Sequence, residues 1–380
     1  MHVLTRTLHV YGDSAPMGVL KVSDLNQFYG VRVMDVYIGF DISLQTTHIC
    51  AVDKDGNIVK EGTATSEVYA IDDWLRRFGE EWNIKRIVFE TGQLSTHFFH
   101  GLAKSWPVDC IDARHANGTL KAQRTKTDKN DARGLAQIAR TGWCKVVHVK
   151  SNESQTLRAL VGGRKQLVTM RMDIENHIRG VLKTFGIKLG IVTAAAFEMK
   201  VNHLLANHDA ALHDTMSALL KARAGLIEQQ KMLDRRCGAI ARKNEVCKRL
   251  MTVPGVGVIT ALTFQAEIDN PLRFKKSRDV GVHVGLTPRR YASGEIDRPG
   301  RISKCGNTAL RTLLFEASVT MLTRSGKWSR LKAWGVRLAK RNGFKAASTA
   351  VARKLAVIMH RMWVDETNFV YGEMPALEAA

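Results

Sequence analysis

Val36-Tyr37-Ile38-Gly39-Phe40-Asp41 is a run of β-branched and aromatic residues that ends in an acid, and it predicts a buried strand. Further strand patterns follow at 47–52, 58–63, 86–90 and 108–111. Helical patterns occupy 68–78, 94–104 and 129–141. Three consecutive strands, followed by alternating helices and strands, predict a mixed α/β sheet in this part of the chain.

Four acidic side chains occupy comparable places in this pattern. Asp41 closes the first strand and Glu90 closes the fourth, so their carboxylates project from one edge of the sheet if these strands are neighbours. Asp128 and Asp131 are three residues apart at the start of a helix and therefore share a face. For each acid alone, the ordinary explanation is a solvated strand end or a favourable helix N-terminus.

The joint pattern predicts more than its members do. We call the four residues the acidic set: Asp41, Glu90, Asp128 and Asp131. Carboxylate oxygens bind hard divalent cations, and two such ions can stabilise the attacking and leaving oxygens of a phosphodiester displacement. We therefore predict that the acidic set binds two Mg²⁺ ions. The layout resembles that of a ribonuclease H-like nuclease domain.

The charge of the chain is strongly basic and unevenly distributed. The 380 residues include 57 Lys and Arg against 36 Asp and Glu, a formal net charge of +21. Between Pro271 and Arg361 there are 21 basic and 4 acidic residues. A localised basic excess favours a nucleic-acid-binding surface, because neutralising phosphates releases counterions. The alternative is a solvated basic face that only maintains solubility.

Residues 151–245 differ from the sheet region, because helix formers dominate and strand patterns are missing. Leucines recur at three- and four-residue steps on both sides of Gly186 and Gly190. This spacing predicts two long helices that form an antiparallel hairpin or coiled coil. Whether they pair within one chain or between chains is left open by the sequence. Residues 1–34 show no clear element, and we expect a disordered extension there.

Several classes of protein are disfavoured. The six cysteines form no CxxC pair, and no histidine stands at a zinc-ligand spacing from them. No apolar run is long enough to span a bilayer, and no signal-peptide pattern begins the chain. We therefore expect a cytoplasmic protein without a membrane partner. No zinc finger or helix-turn-helix pattern is evident either.

A second globular domain is predicted from about residue 250, with helices at 258–268, 309–322 and 346–363. Pro254-Gly255-Val256-Gly257 precedes the first of these helices. Gly255 and Gly257 would let the backbone approach a phosphate, or would form a tight turn that caps a core helix. A cluster of basic residues around Ser293 supplies candidate phosphate contacts. Its members are Arg289, Arg290, Arg298, Arg301 and Lys304.

These motifs together resemble the DEDD transposases of the IS110 family. The N-terminal matches are Gly39-Phe40-Asp41-Ile42-Ser43, Phe89-Glu90-Thr91-Gly92 and Thr127-Asp128-Lys129-Asn130-Asp131-Ala132. The C-terminal matches are Val253-Pro254-Gly255-Val256-Gly257, Gly285-Leu286-Thr287-Pro288, Ser293-Gly294 and Gly300-Arg301-Ile302-Ser303-Lys304-Cys305-Gly306-Asn307. The resemblance covers roughly residues 35–365, with the motifs in the family's order.

The resemblance implies a particular organisation and chemistry. A RuvC-like α/β domain would span 35–150, a coiled-coil connector 151–247 and a mainly helical transposase domain 248–366, with a tail at 367–380. Ser293 matches the family's serine nucleophile, which joins to DNA through a phosphoserine while the acidic site acts on the same phosphate. The family often has Ser-Ser-Gly where this chain has Ala292 before Ser293, so Ser303 and Ser277 stay weaker candidates.

The resemblance also implies partners: DNA at element ends and target, a guide RNA that pairs with both, and a homo-oligomer, either a dimer or a tetramer. Composition and spacing alone do not reveal an RNA. Two other hypotheses remain open. The chain is a metal-dependent nuclease or junction resolvase in which water attacks and Ser293 is structural, or it is a nucleic-acid-binding scaffold whose acids no longer catalyse.

Overall fold

The computed structural model describes residues 34–78, 82–121 and 125–372. Chain contacts divide it into two compact units, with the boundary between Val149 and Lys150. The predicted extension lies outside the described residues apart from Met34, and so does the part of the predicted tail beyond residue 372. No helix within the described ranges is long and apolar enough to cross a membrane.

The first unit is a five-stranded mixed sheet with helices, as the sequence predicts. Its elements, in chain order, are β1 (Met34–Ile42), β2 (Thr46–Val52), β3 (Ile58–Thr65), α1 (Val68–Arg76), β4 (Trp82–Glu90), α2 (Ser95–Leu102), β5 (Val108–Ile111), α3 (Ala113–Leu120) and α4 (Asp128–Thr141). The strand order is β3-β2-β1-β4-β5. Strand β1 is antiparallel to β2 and parallel to β4, so the strands that carry Asp41 and Glu90 are neighbours.

Side-chain alternation gives the sheet two covered faces. Val36, Ile38 and Phe40 of β1 are fully buried in one cluster with residues of α1 and α2. The opposite face packs against α4, whose Leu135 is buried in a cluster with Val88 of β4. Because successive residues of a strand point to opposite faces, Gly39 and Asp41 lie on the α4 side.

Gly39 sets how closely α4 approaches the sheet. A Cβ at this position would lie 2.2 Å from the backbone nitrogen of Ala136 and 2.4 Å from the carbonyl oxygen of Ala132. Only glycine leaves room for the helix backbone to rest directly on β1. The contact fixes the start of α4 beside the end of β1, which is where the acidic set lies.

The second unit is mainly helical. Its elements are α5 (Asn152–Thr184), α6 (Phe197–Leu205), α7 (Ala210–Lys243), α8 (Glu245–Leu250), α9 (Val258–Ile268), a short turn of 3₁₀-helix (Pro271–Arg273), α10 (Arg278–His283), β6 (Pro288–Ser293), β7 (Ile296–Ile302), α11 (Thr308–Thr323), α12 (Arg330–Asn342) and α13 (Phe344–Val364). The core combines α9, α11 and α13, and Leu157 near the start of α5 belongs to the same buried cluster.

The two long predicted helices, α5 and α7, form an antiparallel pair within one chain. Arg164 donates to Asp234 at 2.5 Å, and Glu175 accepts from Arg223 at 2.8 Å, so residue numbers rise along α5 as they fall along α7. Beyond their ends, α6 closes a small apolar cluster around Phe197.

The sequence does not predict the hairpin of β6 and β7, where it indicates only turns. All six residues of β6 are exposed, so the strand lacks the apolar alternation by which strands are recognised. Its pairing with β7 is antiparallel, and Ser293 stands opposite Ile296 across a turn at Gly294, where φ is +56°. The candidate nucleophile therefore lies at the tip of an exposed hairpin.

Candidate active site

The ends of β1 and β4 bring Asp41 and Glu90 together. Phe40 is paired in register with Phe89, so the next residue of each strand, an acid in both cases, stands at the same edge of the sheet. Val88 faces α4, and Glu90 two residues later projects from the same face as Asp41. The predicted meeting of these two carboxylates is what parallel pairing of the strands produces.

Asp128 and Asp131 reach this edge from α4. Thr127 caps the helix, its hydroxyl accepting from the backbone N–H of Asn130 at 3.2 Å. Asp128 and Asp131 lie in the first turn, where a carboxylate is favoured by the helix dipole. A favourable interaction with the helix dipole is thus one contribution of Asp128 and Asp131, and their approach to Asp41 is a second.

The negative charges of the acidic set repel one another, and this repulsion contributes to raised pKa values of Asp41 and Glu90. Burial, then the charges of Asp128 and Asp131, raises the pKa of Asp41 to about 6. Burial, then the charges of Asp41 and Asp131, raises the pKa of Glu90 as well. Carboxylates held close enough to oppose each other's ionisation are typical of metal-binding and catalytic sites.

Two further residues belong to this site, although the sequence singles out neither for a role in it. His48 of β2 pairs in register with Asp41, so both side chains share a face, and its Nε2 lies 3.8 Å from Oδ2 of Asp128. The positive charge of Lys126 lowers the pKa of both Asp41 and Glu90, against the larger effects that raise them. His48 has no recognisable signal in the sequence, because only the β1–β2 register brings it here.

The donor set suits a divalent cation. A cavity of about 130 Å³ opens beside Asp41 and Glu90 and is closed by the loop from Thr91 to Ser95. Among the described residues no three His, Cys, Asp or Glu side chains are already gathered around one point as metal ligands. The carboxylate of Asp128, 65% exposed, is turned towards His48. The repulsion that raises the pKa values of Asp41 and Glu90 is the kind a bound cation would relieve.

In the second unit, the hairpin that carries Ser293 stands on a well-connected base. The backbone N–H of Ser303 donates to the carbonyl of Thr287 at 2.8 Å, closing the hairpin below its strands. The guanidinium of Arg311 donates to the carbonyls of Val284 and Cys305, at 3.0 and 2.9 Å. The segment after β7 therefore connects the hairpin to α11 through Arg311.

The two weaker serine candidates have different surroundings. Oγ of Ser303 is buried and has no hydrogen-bond partner among the described residues. Ser277 lies 3.1 Å from Nδ1 of His360, while Nε2 of His360 is 2.9 Å from the carbonyl of Pro271. Because that carbonyl can only accept, the Ser277 hydroxyl donates to the imidazole, a pairing that can activate a serine. Burial lowers the pKa of His360, which favours this neutral form.

The basic residues around Ser293 are not equivalent. Arg290 donates twice to the carboxylate of Asp297, at 2.9 and 2.5 Å, and its charge is balanced there. Arg289 donates to the carbonyl of Ser303. Arg298, Arg301 and Lys304 have no ion pair within the described part of the chain and are exposed. Their contacts with nucleic acid stay predictions.

The two glycines before α9, Gly255 and Gly257, also differ in their surroundings. Gly255 has φ of +87°, and a Cβ there would lie 2.3 Å from the carbonyl oxygen of Ala317 in α11. This packing explains Gly255 as a tight turn against the core. Gly257 caps α9 and has open space beside its α-carbon, so its approach to a phosphate stays a prediction.

Known transposases match both units. A family model described as a transposase, the DEDD domain of IS110 elements, matches residues 38–187. A second, described as the transposase IS116/IS110/IS902 family, matches residues 247–333. The chain is similar to the transposase of insertion sequence element IS1111A from Coxiella burnetii, with 28% identity over 341 residues, 88% of this chain and 91% of that protein. It is also similar to the transposase of element IS1328 from Yersinia enterocolitica, with 29% identity over 247 residues, 64% and 72% of the two chains.

The two family models follow each other in the expected order and together span more than half of the chain. The DEDD domain implies a divalent metal, and the match as a whole implies DNA as the partner. The chain therefore belongs to the IS110 family of transposases, enzymes that transfer DNA phosphodiester bonds, with an N-terminal DEDD domain and the family's C-terminal transposase domain.

Proposed function

We propose that this transposase cuts and rejoins DNA through a covalent bond between Ser293 and a DNA phosphate. Oγ of Ser293 attacks the scissile phosphorus and loses its proton as the Oγ–P bond forms. The bond from phosphorus to one sugar oxygen breaks, and that oxygen leaves as a hydroxyl after taking up a proton. Attack by the hydroxyl of another strand reverses the step and releases Ser293, so strands are exchanged without a source of chemical energy.

One observation carries this proposal: Ser293 is exposed at the tip of a hairpin that projects from a firmly anchored base. A nucleophile that must reach a phosphate of the bulky DNA backbone needs such an exposed position. Ser293 itself is exposed, and the next residue, Gly294, adds no side chain beside it. Ser303, with its buried hydroxyl, has no comparable access.

The acidic set would hold the divalent ions, and we propose two Mg²⁺ ions. Bound there, they would supply Lewis-acid stabilisation of the phosphate's developing charge. Asp41 and Glu90 orient oxygen donors from fixed strand ends, and the α4 dipole favours the ionised forms of Asp128 and Asp131. Nε2 of His48 lies 3.8 Å from the carboxylate of Asp128, on the Asp41 side of the helix.

A second candidate is hydrolysis by water at the acidic set, as in a junction resolvase. All four acids lie in the first unit, so their site does not need Ser293 to be complete. In this case Ser293 would be a turn residue, and products would carry free ends without attached protein. The two candidates therefore differ in a product that can be isolated.

We further propose that a guide RNA chooses the DNA sequence and that two or four subunits act together. The basic residues between 271 and 361 offer a surface for phosphates, and base pairing with an RNA would supply sequence choice. Four strands must be cut and rejoined in an exchange, which requires several nucleophiles.

The test uses the full chain, Mg²⁺, DNA from both flanks of its gene and RNA transcribed from those flanks. After denaturation, wild-type protein should carry covalently attached DNA. Ser293→Ala should give no adduct and no cleavage, whereas the matched variants Ser277→Ala and Ser303→Ala should retain both. Cleavage by Ser293→Ala at the wild-type rate, with free DNA ends, would assign the reaction to water.

Two further arms test the metal and the RNA. Asp128→Asn should abolish cleavage and adduct formation while DNA retention on a filter stays within about 3-fold of wild type, since a lost carboxylate does not weaken phosphate contacts. Omission of the RNA should abolish cleavage at a defined position. Cleavage at the same position without RNA would contradict guidance.

A further inference from the structure

The two faces of the β6–β7 hairpin differ sharply in chemistry. Tyr291 stands opposite Arg298, and Ser293 opposite Ile296, so these four side chains share one face, which we call the serine face. Arg290 and Ala292 alternate to the other face, where Arg290 is paired with Asp297. No carboxylate lies among the four residues of the serine face, whereas the opposite face is neutralised.

Tyr291 is a large aromatic residue that is mostly exposed on the serine face. Its side chain is 60% exposed, and no described residue forms a hydrogen bond with its hydroxyl. The ring lies over β7 at Gly300, where a Cβ would stand only 3.0 Å from Cε2 of the ring. Glycine at this position therefore leaves room for one edge of the ring beside β7, while most of the side chain stays exposed.

Burial does not explain why a large aromatic ring is held open beside the candidate nucleophile. A flat ring with an open face stacks on a nucleobase, and any base can serve because each has a π-face. Tyr291 and Ser293 are two residues apart, about 7 Å along the strand, which is within about two nucleotide steps of stacked DNA. Arg298, opposite Tyr291 and without an ion pair in the described ranges, supplies a positive charge for the adjoining phosphate.

We propose that Tyr291 stacks on an unpaired base of the DNA strand next to the phosphate that Ser293 attacks, while Arg298 binds the neighbouring phosphate. This inference rests on the proposed role of Ser293. It assigns to Tyr291 a binding and positioning role, and it identifies the ligand as a single-stranded nucleobase of the DNA. The strand must be unpaired at this point, as it is when strands are exchanged.

The direct test measures stacking without cleavage. DNA from the flanks of the gene carries a fluorescent aminopurine in turn at each position beside the cleavage site, with the RNA transcript present and the metal chelated. Ser293→Ala protein should quench one of these positions. Adding Tyr291→Phe should preserve the quenching, because the ring remains, and adding Tyr291→Ala should abolish it. Adding Ile296→Ala, a matched apolar change on the same face, should preserve it.

A kinetic test uses protein with Ser293 intact. Tyr291→Ala should slow adduct formation by about 5- to 100-fold, the range expected for loss of one base–aromatic stack. DNA with an abasic site at the quenched position should slow wild type equally and leave Tyr291→Ala unaffected. Quenching in the Tyr291→Ala protein, or additive effects of the variant and the abasic site, would overturn the inference. Failure of Tyr291→Phe would assign the role to the hydroxyl instead and would equally overturn it.

The outcomes for Tyr291 and Ser293 are separable. An adduct at Ser293 together with unchanged quenching in Tyr291→Ala contradicts stacking alone. Cleavage by Ser293→Ala, together with quenching that depends on the ring of Tyr291, contradicts the role of Ser293 as nucleophile and leaves stacking by Tyr291 supported. Quenching that appears when the aminopurine is placed in the RNA, and at no DNA position, would overturn the choice of DNA as the ligand.

Discussion

The ionisation of a single side chain, Asp41, shows that the candidate active site lowers the stability of the metal-free protein. The carboxyl group is half-buried at the end of β1, and burial and the charges of Asp128 and Asp131 raise its pKa from 3.8 to about 6. A carboxyl group with a higher pKa in the folded than in the unfolded protein destabilises the fold when it is ionised. The metal-free protein is therefore less stable than its packing alone would make it.

Replacing Asp41 by Asn should stabilise the metal-free protein. At a pH of about 8, urea unfolding in the presence of a chelator should show a free energy of unfolding higher by about 1–3 kcal/mol, the raised pKa discounted for partial exposure. The destabilisation is complete above the folded pKa of about 6 and disappears as the pH falls towards the unfolded value of 3.8, so the gain should shrink over that interval.

Asp35→Asn is the matched control, on the same strand. Asp35 lies 3.4 Å from Nζ of Lys85 and accepts from Asn83, and it is not a member of the acidic set. This variant should give no gain in stability at any pH. An equal gain from both variants would show that the acidic set does not repel Asp41.

Gly39→Ala should separate α4 from β1. The new Cβ would meet backbone atoms of α4, which cannot rotate away as a side chain can. We expect the free energy of unfolding to fall by about 3 kcal/mol and DNA cleavage to be lost, because Asp128 and Asp131 move with the helix. Gly92→Ala is the control, because no atom lies within 4 Å of the added Cβ, and its thermal unfolding temperature should be unchanged. A similar loss of stability in both variants would refute the close contact between Gly39 and α4.

Among the elements, the pair of α5 and α7 depends on buried charge as well as on leucines. Arg223 is 3% exposed, donates to Glu175 at 2.8 Å and to the carbonyl of Ala194 at 2.6 Å, and lies over the ring of Phe197. One guanidinium thus links both long helices with the segment between them. A leucine pattern alone would not fix this arrangement.

Arg223→Met should therefore destabilise the helical pair by about 2–4 kcal/mol, because Glu175 loses a buried partner and the carbonyl of Ala194 loses its donor. Urea unfolding followed by circular dichroism measures the change. Arg236→Met, at an exposed position of the same helix, should shift stability by no more than about 0.5 kcal/mol. Equal effects of the two variants would mean that the buried ion pair contributes nothing.

For the molecule as a whole, the uneven charge governs how it meets DNA. Most of the net charge of +21 lies between residues 271 and 361, in the second unit. The junction of α12 and α13 concentrates three exposed cations that have no ion pair among the described residues: Lys340, Arg341 and Lys345. A protein that binds phosphates through such residues loses affinity steeply as salt is raised.

Replacing Lys340, Arg341 and Lys345 together by Ala should weaken binding to duplex DNA of any sequence. The slope of log affinity against log salt should become shallower by about 2–3, close to 0.9 for each phosphate contact removed. A matched triple replacement of Lys183, Lys188 and Lys200, exposed cations outside the basic segment, should leave the slope within about 0.5 of wild type. Equal changes in slope for the two triple variants would show that DNA binding depends on the total charge and not on these three positions.

Local patterns anticipated the elements better than they anticipated their arrangement. The strand ending at Asp41 and the helix beginning near Asp128 lie within a residue or two of their predicted bounds, because side-chain period depends only on nearby residues. The β6–β7 hairpin escaped prediction, because an exposed strand has no apolar period. Helix α12 also went unpredicted.

The sequence by itself determined the mixed sheet, the helical second half and the basic segment, and it predicted the acidic set. Only the tertiary structure decided that β1 lies between β2 and β4, that α4 rests on Gly39, and that His48 therefore faces Asp128. It also decided that Arg290 is neutralised while Tyr291 stays open beside Ser293. The physical reason is that periodicity is a local property, whereas strand order, register and the pairing of charges depend on contacts between residues far apart in the chain.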